Sequence, residues 1–360
     1  ARARRPFRAP ATAYRTPARA MARLAALPLA ALLRPAAGLL AAGPSAPLEP
    51  ATGALGISLA NGWDLAGALA DQPPGAFKGL LGPVGSVVRL SYTSTHGFER
   101  VEADVGATIP AKFSGGATWE RLPSAEADPP SGGLHAVVLR DAAAKRLLVA
   151  FRGVTLSPVL GDRGRNMDLC AFAALSNSEV LPVGVDCGQF TAAELDYLGQ
   201  ATEVLGRARA LHPDHAVLLT GHSLGAKLAV LAAAKQGSGV KALTFGLGSV
   251  HEPLKLQLNF SSEQIAALPA ENFVALENPC DPYYIKASTE QLALKGTTVC
   301  VYSTVQPVSG CKQCITKMGN PTDPSCMESF IGAHSFKSYL NLLKPTGPGA
   351  GPAVPSCTAA

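Results

Sequence analysis

The chain has 360 residues, 47% hydrophobic and 16% charged, which is enough apolar content for a sizeable core and too much for a disordered polymer. The formal net charge of +5 comes from the front end: residues 1–48 hold eight Arg, no Lys and no acid, leaving 23 basic against 26 acidic groups beyond them. The body of the protein is mildly acidic, so no basic field points to a nucleic-acid or membrane-surface binder.

Residues 1–55 are dominated by Ala, Pro, Leu and Arg without a sustained amphipathic period, and read as a targeting or disordered segment outside the fold. From Met21, the basic Arg23, an apolar run Leu24 to Leu33 and the small residues Ala41-Ala42-Gly43-Pro44-Ser45-Ala46 resemble a secretory signal peptide. An organelle transit peptide is the rival reading. Arg34, Pro28 and Pro35 keep the run well short of the ~20 residues that a membrane span needs, and no later segment qualifies. The predicted folded domain is 56–344. Within it, Trp63 to Asp71 and Leu80 to Tyr92 look helical. The Pro/Gly-rich stretch 345–360 is expected to be a flexible tail, tied at most through Cys357.

From about residue 134, short β-rich runs alternate with helical ones, the signature of an α/β fold with a mostly parallel central sheet and helices on both faces. Leu134 to Arg140 and Arg146 to Phe151 read as strands. The second is almost unbroken in its apolar character, as expected of a strand covered on both sides. A helix is predicted over roughly 192–211, behind the capping box Thr191-x-x-Glu194 and ending at His212-Pro213. A strand at Ala216 to Thr220 then runs into Gly221-His222-Ser223-Leu224-Gly225 and a helix at Ala226 to Lys235.

That order of strand, tight turn and helix makes Ser223 a candidate nucleophile. Gly221 and Gly225 flank it at i−2 and i+2, where larger side chains would collide with the neighbouring strand and helix. At a helix start, the Leu224 amide and the positive end of the helix dipole face a developing oxyanion. His222 is read as a helper of turn shape and not as a base. A chance Gly-x-Ser-x-Gly in a chain with 36 glycines is the bland alternative, and the flanking strand and helix argue against it.

A serine hydroxyl needs a general base and a group that orients the base. In the chain order Ser, acid, His, the histidines beyond the elbow are His251 and His334. His334 opens a short helical run after Gly332 and is preferred, because His251 arrives before any acid-bearing loop. Among the acids, Asp281 follows the strand Phe273 to Leu276, at the carboxyl end where such a group belongs. Glu277 and Asp323 are its competitors.

The eight cysteines, at 170, 187, 280, 300, 311, 314, 326 and 357, suit disulfides of undetermined pairing. Zinc at Cys311, Cys314 and Cys326 would need an ad hoc fourth ligand. A redox Cys311-x-x-Cys314 would lack a helix start to lower its thiolate pKa.

Together, Phe151-Arg152-Gly153, Thr220-Gly221-His222-Ser223-Leu224-Gly225-Ala226, Thr244-Phe245-Gly246, Asp281-Pro282 and His334 resemble the class 3 lipases, the fungal-lipase-like branch of the α/β hydrolases, over roughly 134–343. The resemblance implies a carboxylic ester hydrolase that needs no cofactor or metal, with Ser223, Asp281 and His334 as the triad. It further implies acyl glycerols or related lipids as substrates, met at a lipid–water interface.

The resemblance also implies a second oxyanion donor at Val154, where relatives carry Ser or Thr, so a side-chain donor is missing unless Thr155 replaces it. It places a lid over Thr155 to Asp168, with Gly161 and Gly164 as hinges, and makes Asp168 structural. Gly246-Leu247-Gly248-Ser249 departs from the family's usual Pro-Arg pair. A catalytically silent scaffold that acts as a binding protein is the alternative from a different class, and a thiol redox protein is a third.

Overall fold

The computed structural model describes residues 84, 88, 91–92, 119–129, 132–154, 161–176, 184–237, 239–289, 295–301, 332–336, 338–339 and 356–359. The leader, the helix expected at Trp63 to Asp71, and Thr155, Cys311, Cys314, Asp323 and Cys326 lie outside the described residues.

Strands β1 (Trp119–Arg121), β2 (Ala136–Asp141) and β3 (Arg146–Phe151) form an antiparallel meander. The β2–β3 turn is closed by Asp141, whose buried carboxylate accepts from the Ala144 amide at 3.1 Å and from Arg146. The sheet then continues in parallel through β4 (Ala216–His222), β5 (Val240–Phe245), β6 (Phe273–Glu277) and β7 (Thr298–Val301). It closes with β8 (Ser356–Ala359), antiparallel to β7. Strand order in space follows strand order in the chain.

Helices α1 (Gly161–Ser176), α2 (Ala192–Leu195) and α3 (Tyr197–Leu211) lie between β3 and β4, and α4 (Leu224–Gln236) between β4 and β5. Next come α5 (His251–Leu258) and α6 (Ser262–Ala266) before β6, and α7 (Pro282–Thr289) after it. Crossovers that step the same way with the usual right hand deposit their helices on one face. Accordingly α1, α3, α4 and α5 share one core with Leu147, Val149, Phe151, Val217 and Leu219. The alternate residues Leu148, Ala150, Leu218, Leu243 and Phe245 point to the other face. That face is covered from outside the crossovers, by Val84 and Val88 upstream and Tyr339 downstream. Parallel strands buried on both sides thus read as nearly continuous apolar runs, as Leu147 to Phe151 of β3 do. This is the α/β-hydrolase arrangement expected from the sequence, with antiparallel strands added at both edges. Among the described residues, no helix is long and apolar enough to cross a membrane.

Several elements differ from their predicted form. The helix expected over 192–211 breaks at Asp196, whose side chain caps a new helix by accepting from the Gly199 amide at 2.8 Å. The capping box at Thr191 forms as expected, but serves the four-residue α2. Gly161 opens α1 and Gly164 lies in its first turn, where a loop was expected. The close packing falls on Gly132, with φ 90°, where a Cβ would stand 2.8 Å from the Gly164 Cα. The tail expected to be flexible contains β8, held by main-chain pairing and by a disulfide between Cys300 and its cross-strand neighbour Cys357. A second bridge joins Cys170 in α1 to Cys187. Cys280 is also disulfide-bonded, and no described cysteine is free.

The Cys300–Cys357 bridge spans 57 residues of chain, so removing it enlarges the unfolded ensemble. The double variant Cys300→Ala/Cys357→Ala is expected to lose about 2–4 kcal/mol of stability, read from urea unfolding under oxidising conditions.

Candidate active site

β4 ends at His222, and the chain reverses into α4 through Ser223, which has φ 58° and ψ −120°. Such a backbone costs an L-residue about 1–3 kcal/mol and persists only where its surroundings over-determine it. They do so here. A Cβ on Gly221 would meet the Gly225 carbonyl, and one on Gly225 would collide with the Phe151 carbonyl. Both glycines are therefore required by close main-chain approach. The Ser223 amide is held by the Phe245 carbonyl at 3.1 Å.

The structure brings the three predicted side chains together. His334 Nε2 lies 2.9 Å from Ser223 Oγ, and its Nδ1 lies 2.6 Å from Asp281 Oδ2. A carboxylate can only accept, so Nδ1 carries the proton and the Nε2 lone pair faces the serine hydroxyl. Asp281 is fully buried. Burial favours its neutral form, but the His334 hydrogen bond and charge, the Tyr339 hydroxyl at 2.7 Å and the Tyr283 amide at 2.8 Å outweigh this and hold its pKa below the ordinary value. Burial pushes the Tyr339 hydroxyl well above its usual range, so it remains a donor.

Sequence reasoning missed the second role of His222. Its Nε2 lies 2.7 Å from the His334 carbonyl, which only an N–H can approach as donor, and its Nδ1 therefore accepts from the Tyr92 hydroxyl at 2.8 Å. The elbow thus grips the main chain of the histidine that faces its own serine, and Tyr92 fixes the tautomer. Burial, followed by the nearby His334, drives the His222 pKa down to about 3. The residue is neutral throughout the physiological range. Its sequence neighbourhood gives no hint of this, because Tyr92 is 130 positions away.

The Leu224 amide belongs to the first turn of α4, where N–H groups have no intrahelical carbonyl. Val154 is half-buried against the core, next to Gly153, whose Cβ position would lie 3.3 Å from Ser223 Cβ. Both expected oxyanion donors are therefore near the serine in the chain or in space. The competing candidates go elsewhere: His251 Nδ1 faces Glu252 at 3.2 Å, and Glu277 Oε1 accepts the Leu247 and Gly248 amides at 2.9 and 3.3 Å. Buried Asp168 accepts from Tyr197 at 2.8 Å and pairs with Arg152, in keeping with a structural part.

Residues 162–250 match the family model of lipase (class 3). The match spans the elbow and its supporting helices, and bears out the class 3 lipase resemblance read from the motifs. Solved structures similar to this chain include the Lip2 lipase of Yarrowia lipolytica, at 15% identity and a TM-score of 0.38 over 62% of this chain and 78% of that one. The lipase of Rhizopus microsporus var. chinensis is 16% identical, with a TM-score of 0.39 over 63% and 75%. The triacylglyceride lipase of Rhizomucor miehei is 17% identical, with a TM-score of 0.37 over 62% and 79%. Likeness at that level bears on none of the residue roles.

The depressed pKa of His222 has a consequence for stability. Because folding lowers it from 6.5 to about 3, the unfolded chain binds more protons in that interval, and stability present above pH 6.5 is lost as the pH falls toward 3. His222→Gln can make both hydrogen bonds but does not titrate. The urea midpoint of the wild type is expected to fall between pH 7 and pH 4 more steeply than that of His222→Gln.

Proposed function

We propose that this chain is a serine hydrolase of carboxylic esters, acting on acyl glycerols or related lipids through an acyl-enzyme intermediate. The observation that carries the reading is the unbroken hydrogen-bonded line from Ser223 Oγ through the His334 imidazole to the Asp281 carboxylate, at 2.9 and 2.6 Å. The class 3 lipase match over the elbow supports the substrate class.

In this reading, Ser223 Oγ attacks the ester carbonyl while His334 Nε2 takes its proton, and Asp281 stabilises the imidazolium. The Leu224 and Val154 amides receive the tetrahedral oxyanion. Collapse expels the alcohol, which takes the proton back from Nε2, and Ser223 remains acylated. Water attacks the acyl-enzyme by the same route, its proton passing through His334, and the carboxylic acid leaves with the Ser223 hydroxyl restored. Val154 offers only its main-chain donor. Since one oxyanion donor is typically worth about 10²–10³ in rate, turnover is expected to be modest.

The hydrolase domain is proposed to occupy 56–344, and the leader to direct the chain into the secretory pathway, where its disulfides would form. The disulfide-bonded cysteines support that compartment.

A fluorophosphonate probe is expected to label the wild type and not Ser223→Ala. His334→Ala should lose about 10⁶-fold in kcat and Asp281→Asn about 10⁴-fold. Esters graded in chain length and head group give the substrate class: preference for emulsified long-chain acyl glycerols supports a lipase. Preference for short soluble, phospholipid, galactolipid or feruloyl esters reassigns the substrate. An unlabelled wild type leaves a binding scaffold.

A further inference from the structure

Gly246-Leu247-Gly248-Ser249 is the segment that departs from the family pattern, and it runs directly beneath the triad. Gly246 has φ 58°, and a Cβ there would stand 3.0 Å from the Tyr339 hydroxyl, 3.2 Å from Asp281 Oδ2 and 3.3 Å from His334 Cε1. Gly248 has φ 62°, and its Cβ would stand 3.0 Å from Tyr283 Cβ, on the residue whose amide bonds Asp281. Two glycines, one against the imidazole and one against Tyr283, leave this turn with little intrinsic stiffness. A displacement of the turn would pass straight to His334 and Asp281.

Two side chains pin it. Lys227, from the elbow helix α4, donates to the Ser249 carbonyl at 2.6 Å. Glu277, the last residue of β6, is fully buried and takes both the Leu247 and Gly248 amides on one oxygen, Oε1. Its other oxygen, Oε2, is buried without a partner among the described residues. A carboxyl group held this way is costly to bury, and neither the proton relay nor the strand pairing uses its side chain.

We propose that Glu277 is a positioning residue: it clamps the Gly246–Ser249 turn under the imidazole and so holds His334 and Asp281 in register with Ser223. This inference rests on the serine-hydrolase reading for its effect on rate, but not for the clamp itself. The clamp acts through reach and not through charge. Asp281, Lys227, Tyr284 and Tyr339 are the titratable groups around Glu277; burial first, and then the neighbouring Asp281 charge, raise its pKa to about 8. The contact to the Leu247 and Gly248 amides needs only an acceptor oxygen at that reach, which an amide can imitate.

The test therefore separates reach from charge. Glu277→Gln keeps the length and the acceptor, whereas Glu277→Asp keeps the carboxyl and is one methylene too short. Two readouts are taken on the full chain near pH 7: the low-field Nδ1 proton resonance of His334, which needs no turnover, and kcat and KM on a soluble p-nitrophenyl ester. Glu277→Gln is expected to retain the resonance and to keep kcat within about threefold. Glu277→Asp should broaden or shift the resonance and lower kcat by about tenfold or more with KM little changed, as expected of misplaced reacting groups. A Glu277→Asp enzyme that matches wild type in both readouts, or a Glu277→Gln enzyme that falls as far as Glu277→Asp, overturns the proposal. If Glu277→Asp does not fold, Glu277→Leu, which fills the space but accepts from neither amide, takes its place: a lost resonance there with a retained one in Glu277→Gln supports the clamp, and a retained one in Glu277→Leu refutes it. If the wild type hydrolyses no ester, the hydrolase reading fails while the resonance continues to report on the clamp.

Discussion

The strained main chain of Ser223 is the constraint on which the site is built. At φ 58° and ψ −120°, it is tolerable only because three neighbouring strands and one helix leave it no alternative. Phe151 of β3 presses its carbonyl against Gly225, Phe245 of β5 accepts the serine amide, and Gly221 yields space to the first turn of α4. α4 is itself buried along almost its whole length, from Leu224 to Ala234. The energy that holds the serine upright therefore comes from the burial of apolar side chains some distance from it, at roughly 25 cal/mol per Å² removed from water. Reactive geometry and core packing are one system here.

Topology explains the remainder of the site. Crossovers that all step the same way put their helices on one face of the sheet, and helical residues from before β1 and after β7, Val84, Val88 and Tyr339 among them, close the other. Those closing segments bring Tyr92, His334, Phe336 and Tyr339 to the carboxyl ends of β4, β5 and β6. Tyr92 and Phe336 stack at 6.1 Å, and the His222 and His334 rings stand 4.8 Å apart. The lid-like role expected for Thr155 to Asp168 receives no support from its second half, which is the start of a packed helix.

Much of the fold was legible because its signals are local. Apolar runs of strand length, the i+3/i+4 periodicity before His212, the Thr191 capping box and the glycines around Ser223 each report on a few consecutive residues. Where the reading failed, the deciding contact was one that periodicity and composition do not register. Asp196 interrupts a continuous helical pattern because its side chain can cap a new start, and periodicity does not register this. Ser356–Ala359, short and adjacent to a Pro/Gly-rich stretch, has no strand signal of its own and is recruited by the open edge of β7 and by Cys300.

By itself, the sequence singled out Ser223 as the candidate nucleophile and narrowed the choice of its partners, because the elbow motif is confined to five residues and suitable acids and histidines are scarce beyond it. Only the tertiary structure decided between Asp281 and Glu277 as partner of the imidazole. The two carboxyls sit four positions apart at the end of one strand and are indistinguishable in kind. The path of the chain past Cys280 turns one toward His334 and leaves the other beneath Leu247 and Gly248. The pairing of His222 with Tyr92 was likewise beyond reach, since a hydrogen bond between residues 130 apart depends on how the chain before β1 packs across the sheet to the end of β4.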